Sequence, residues 1–380
     1  MFELQANNET KMEESHLLRK HLAPYLNWNQ ARLSLLSLFI IGLIQARTVN
    51  LAKVSEYFSG FVENESHYKR IQRFLRSFEI NFDQIATLVS LWILPSTPWL
   101  LCLDRTNWKF GKTNINILVL SVAAKGISIP LYWEVLSKQG NSNTEERIRL
   151  MRRFLKHFGH EKIDCLTADR EFKGIQWLAF LKKEKISFCI RIATNTKVNN
   201  KQKNRHYPVK RLFSLRTNES MVLRTQRKVW GEWVYIACFR SSDDWVVIIC
   251  DKKPEVALEN YQRRWTIETL FQALKGRGFN LEDTHLQDPE RISKLFAVLT
   301  LAFCWCYKVG EWRNAVKPIK MKKHKRPAKS IFNYGAEWLR KILNNSAIFH
   351  AQLQGLILLI GNKDPDTKHY FHLFEIKGKI

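Results

Sequence analysis

The stretch Leu258 to Gly278, LENYQRRWTIETLFQALKGRG, constrains this chain more than any other. It holds no glycine or proline until Gly276 and Gly278 stop it, so it reads as one helix. At about 100° per residue, Tyr261, Arg264, Glu268 and Lys275 fall within roughly 60° of one another on the helix surface. Ile267, Leu270, Phe271 and Leu274 cluster on another face, about 100° away. One side therefore packs into a core, while a second presents a phenol, a guanidinium, a carboxylate and an ammonium in a row. A plain surface helix with i,i+4 salt bridges would carry the same residue types. Companions elsewhere in the chain decide between the two.

Composition narrows the class of partner. A chain of 380 residues has room for two or three domains, and its formal net charge of +26 points to a polyanion. Thirteen tryptophans set among cations suit stacking on exposed bases, although most such rings serve as ordinary core. Cys102, Cys165, Cys189, Cys238, Cys250, Cys304 and Cys306 form no CxxC pair and are odd in number. Neither a zinc motif nor a disulfide framework is indicated, and a reducing cytoplasm is expected. The apolar runs Leu33–Ala46 and LFAVLTLAFCWCY are each short of the roughly 20 residues that span a bilayer, so no membrane role is expected.

Residues 1–95 read as an all-helical N-terminal domain, with helices at Glu13–Leu22, Trp28–Ala46, Asn50–Phe58, Glu65–Phe78 and Phe82–Leu94. The fourth is basic, with Lys69, Arg70, Arg73 and Arg76, which suits DNA binding or a solvated face. The pattern then changes. Strands are expected at Leu100–Asp104, Asn114–Ala124 and Ser128–Leu136, then a helix from Asn143 or Thr144 to Phe158 with Glu146 as a capping acid. A strand at Ile163–Asp169, a helix at Gly174–Glu184 and a strand at Ile186–Ala193 complete the order β-β-β-α-β-α-β. That is the order of an α/β, RNase H-like core, here residues 96–193, and it places Asp104 and Asp169 on neighbouring strands. Residues 194–250 read as a β-rich insertion, residues 251–316 as the second part of the core, and residues 317–380 as a basic linker with a helical C-terminal region.

The spacing Tyr-x2-Arg-x3-Glu-x6-Lys in YQRRWTIETLFQALK resembles the YREK signature of IS4-family DDE transposases, the group that includes the Tn5 and Tn10 enzymes. Asp169-Arg170-Glu171 is similar to the family's second carboxylate box, and CLDRTNWKFG to its first. The resemblance covers about Trp99 to Gly278. It implies that Asp104, Asp169 and Glu268 are the catalytic carboxylates and metal ligands, and that Tyr261, Arg264 and Lys275 hold DNA phosphates. It also implies that Trp245, opening the string WVVIIC, stacks on a base flipped from the element end; the alternative is a core tryptophan. Arg105, Asn107 and Lys109 are further candidates for touching DNA.

Phosphodiester attack needs an activated nucleophile, a stabilised leaving oxygen and neutralised phosphoryl charge, which two divalent ions about 3.5–4 Å apart supply together. Carboxylate ligands select Mg²⁺, with Mn²⁺ as a substitute. The resemblance further implies an insertion-sequence transposase that binds terminal inverted repeats and target DNA. It would cleave by metal-dependent hydrolysis and transesterification and move the element by cut and paste, through a hairpin, within a homodimeric synaptic complex in the bacterial cytoplasm, beside the nucleoid. Two rival readings are an inactive RNase H-like DNA-binding protein and a nuclease without strand transfer.

Overall fold

The computed structural model describes residues 13–58, 62–200, 203–323 and 325–361. The chain's first residues, the C-terminal tail, Lys201 and Gln202 of the basic stretch and His324 of the linker lie outside them. The described residues form a mixed α/β protein divided into two compact units. One comprises residues 1–94, 109–113 and 271–380, and the other residues 95–108 and 114–270. The N-terminal and C-terminal helices, read from the sequence as separate regions, thus share one unit.

That helical unit contains α1 (residues 13–22), α2 (Gln30–Ala46), α3 (Leu51–Ser55), α4 (Asn64–Ser77), α5 (Phe82–Ile93), α10 (Pro289–Val316), α11 (Ile331–Asn344) and α12 (Ser346–Gly361). Asn29, Asn50 and Asn81 accept backbone N–H bonds at the starts of α2, α3 and α5, which fixes where each begins. α10 is the hub, packed against α2, α4, α5, α11 and α12. At 28 residues it is long and apolar enough to cross a membrane, contrary to the reading from its apolar core alone, and 89% of its most apolar window is buried inside the protein. Gly310 and Gly335 let α10 and α11 cross closely: a Cβ on Gly335 would lie 1.9 Å from the Cys306 carbonyl oxygen.

The second unit is built on a ten-stranded sheet ordered β3-β2-β1-β4-β5-β10-β9-β8-β6-β7. Its first half is β1 (Trp99–Phe110), β2 (Thr113–Ala123), β3 (Ser128–Leu136), α6 (Thr144–Phe158), β4 (Ile163–Ala168), α7 (Ile175–Lys183) and β5 (Phe188–Ile192). This is the expected order and is consistent with an RNase H-like core. β1, β4 and β5 run parallel, as helical crossovers require, and Trp99 to Leu103 are all buried, as in a strand covered on both faces. Asn143 and Glu146 close a reciprocal capping box at the start of α6.

Two expectations need correction, and a third gains detail. β1 does not end at Asp104 but continues to Phe110, because Thr106 and Trp108 alternate with exposed Asn107 and Lys109 in a period-two pattern that reads superficially as a polar turn. The segment expected as a β-rich insertion is β-rich and extends the same sheet: β10 (Trp245–Cys250) pairs antiparallel with β5, then come β9 (Glu232–Arg240), β8 (Ser220–Val229), β6 (Lys197–Asn200) and β7 (Lys203–Pro208). The long helix from Leu258 is broken into α8 (Ala257–Gln262), a 3₁₀ turn (Arg263–Trp265) and α9 (Thr266–Leu274).

Candidate active site

The β1–β4 register aligns Leu103 with Ala168, so the next residues, Asp104 and Asp169, stand side by side where the parallel pairing stops. Asp104 has its side chain 17% exposed and accepts a bond from the Arg105 backbone N–H at 2.8 Å. Burial pushes its carboxyl up to about 6; Arg264 and the Arg105 N–H oppose that rise, while Asp169 and Glu171 add to it. α8 packs on β4, β5 and β10, which brings its single tyrosine, Tyr261, over the strand ends. The Tyr261 hydroxyl donates to Asp169 Oδ1 at 3.1 Å.

The 3₁₀ turn carries Arg264, and the start of α9 carries Glu268. Thr266 and the fully buried Ser128 share a 2.7 Å hydroxyl bond that pins this start to β3. The buried Arg264 guanidinium then donates through Nη1 to Asp104 Oδ2 at 2.7 Å and through Nη2 to Glu268 Oε1 at 2.8 Å, and stacks 5.4 Å from the Tyr261 ring centre. Burial alone would lower its pKa, but Tyr261, Asp104, Asp169 and Glu268 outweigh that and hold it above the ordinary arginine value. Burial likewise pushes the Tyr261 phenol up, with Arg264 opposing.

Of the seven residues singled out from the sequence, five converge here: Asp104, Asp169, Tyr261, Arg264 and Glu268. Lys275 lies one residue beyond α9, in the helical unit, where it pairs with Glu282 at 2.8 Å. The tighter 3₁₀ turn breaks the even 100° step on which the four-residue row rests. Trp245 opens β10, half-buried, with Lys210 Nζ 5.1 Å and the Arg240 guanidinium 5.2 Å from its ring centre. Neighbouring Asp244 pairs with Arg191, which also interacts with Tyr261 and so links the Trp245 corner to the carboxylates.

Sequence reasoning missed the second ring of arginines. Arg105, weighed as a DNA contact, bonds within the protein: it meets both oxygens of Glu171 at 3.0 and 2.9 Å, Asn116 Oδ1 at 3.0 Å and Asn141 Oδ1 at 3.0 Å. Arg147, buried on α6, donates to the backbone carbonyls of Glu171 at 3.1 Å and Lys173 at 3.2 Å. Together they clamp the loop that begins at Asp169. The DRE string marked that loop, but nothing local marked Arg147 or Arg191 as reaching Glu171, Lys173 and Asp244, which lie well beyond them in sequence.

Asp104, Asp169 and Glu268 supply hard carboxylate oxygens, the donor chemistry that suits Mg²⁺ or Mn²⁺. No cluster of three or more metal-binding side chains stands assembled among the described residues. Glu268 reaches Asp104 only through Arg264, whose guanidinium supplies the positive charge that three carboxylates in one place demand. Glu268 is 54% exposed and is the carboxylate of the three with most freedom to turn. The donor set fits divalent ions once Arg264 yields.

Two aspartates at the ends of paired parallel strand segments thus lie beside a helix that carries a glutamate, with one arginine bonding the first aspartate and the glutamate. Residues 95–305, more than half the chain, match the family model described as the Transposase DDE domain. The chain belongs to that family, and a transposase role, with DNA as partner, follows from it. No curated protein matches the chain.

Proposed function

We propose that this chain is the transposase of an insertion sequence, similar to the IS4 group. In this reading it binds element ends, cleaves them by Mg²⁺-dependent hydrolysis and transesterification, forms a hairpin, and joins the freed end to target DNA from within a homodimer. The observation that carries the reading is the convergence of Asp104 and Glu268 on one guanidinium, with Asp169 held beside them by the Tyr261 hydroxyl. Bound divalent ions would activate the attacking oxygen and stabilise the leaving one, with these three carboxylates as ligands. Arg264 and Tyr261 hold the carboxylates in the resting chain, and a guanidinium released from Asp104 and Glu268 is placed to meet a DNA phosphate. Trp245, flanked by Lys210 and Arg240, offers an aromatic face for a base taken out of the stack.

The test incubates the full-length protein with Mg²⁺, a target duplex and DNA from the ends of its own element, and resolves the products on a denaturing gel. Nicked, hairpinned and target-joined strands support the reading. Nicks without joined product would indicate a nuclease, and intact DNA bound in a gel shift would indicate an inactive DNA-binding protein. Trp245→Ala should spare the first nick and suppress the hairpin, with partial rescue by an abasic nucleotide. Equal loss of both steps would make Trp245 a structural residue.

A further inference from the structure

The helical unit holds a cavity of about 310 Å³ between α3, α4 and the segment that enters α10. Tyr68 and Gln72, one turn apart on α4, line it together with Leu51, His285, Leu286 and Arg291. Among the described residues, the Tyr68 hydroxyl, the Gln72 amide and the Arg291 guanidinium have no hydrogen-bond or ion-pair partner. The His285 ring is stacked on Phe110, with centres 5.2 Å apart and planes 18° apart, which fixes its orientation. Arg291 is the fixed cation lining the pocket; its backbone N–H binds Asp288, the N-cap of α10. α4 also exposes Arg73 and Arg76.

The volume is that of a small-ligand pocket. Its lining combines a cation for a phosphate, two aromatic rings for a planar group, and an amide that both donates and accepts for a polar edge. That combination matches one nucleotide unit. A carboxylate or a bare anion would leave the two rings and the leucines unused.

We propose that this pocket takes a single nucleotide of bound DNA, its phosphate on Arg291 and its base against Tyr68 and His285. The proposal rests on the reading of the chain as a DNA-acting transposase. It adds a second contact for an unstacked nucleotide, in a different unit from Trp245. Single-stranded or frayed DNA fills it at least cost, since the base is already free of its stack.

The experiment irradiates the full-length protein with a short DNA of mixed sequence bearing 5-iododeoxyuridine near a frayed end, and maps adducts by mass spectrometry. Adducts are expected on the peptides carrying Tyr68 or His285. Arg291→Ala and Gln72→Trp, the second filling the cavity from an exposed position that leaves folding intact, should abolish them and weaken binding about tenfold. Adducts elsewhere, unchanged in both variants, overturn the pocket while leaving DNA binding standing. Absence of any DNA binding by the parent chain overturns both. Free deoxyadenosine monophosphate is the second arm. If it binds the pocket while DNA yields no adduct there, the site serves a small molecule and the proposal fails.

Discussion

Arg264 binds two carboxylates from within the protein, and Asp104 in turn feels Asp169 and Glu171. Removing the cation leaves an uncompensated buried charge, a change that costs about 3–5 kcal/mol. Arg264→Ala should therefore lower the melting temperature of the metal-free protein, and added Mg²⁺ should recover much of the loss. Lysine offers a single point charge and should rescue only in part. Asp104 adds a pH signature. Its carboxyl rises from 3.8 to about 6 on folding, so between those values the folded chain binds the proton more tightly than the unfolded chain. Stability should consequently fall as pH rises through that window, by at most about 3 kcal/mol, and not change further above it. Asp104→Asn should flatten the profile. Thermal melts without metal, taken from about pH 4 to about pH 7, read the difference.

At the scale of elements, helix starts were legible because caps and apolar spacing are local signals: Asn50 and Asn81 in the N-terminal region and Asn143 in the core each start a helix where the sequence places one. The break between α8 and α9 was not legible. Tyr261 is held by Asp169 and Thr266 by Ser128, residues roughly a hundred positions away or more, and the backbone tightens into a 3₁₀ turn to satisfy both. Thr266→Val should leave the buried Ser128 hydroxyl without this partner, cost about 1–3 kcal/mol and slow cleavage by loosening Glu268. In the helical unit, Gly335→Ala drives a methyl group into the Cys306 carbonyl and should cost about 1–3 kcal/mol in thermal or denaturant unfolding. A neutral result would mean that α10 and α11 can separate freely at that crossing.

At the scale of the whole molecule, the order of strands and helices from β1 to β5 was readable and the extent of the sheet was not. Pairing of β10 with β5 matches Cys250 to Cys189, a contact that no local pattern announces, so strands that look like an inserted domain continue the core sheet. The charge of +26 was readable at once. Phosphate contacts by many lysines and arginines release counterions, so log affinity for DNA should fall steeply with log salt; a flat slope would assign the charge another purpose. The central claim is that Asp104, Asp169 and Glu268 form one metal-dependent site on a DNA-binding protein. Its most direct test compares Mg²⁺-dependent nicking of end DNA with gel-shift affinity in Asp104→Asn, Asp169→Asn and Glu268→Gln. Each variant should bind DNA as the parent does and fail to nick it, whereas normal nicking by any one of them would remove that carboxylate from the site.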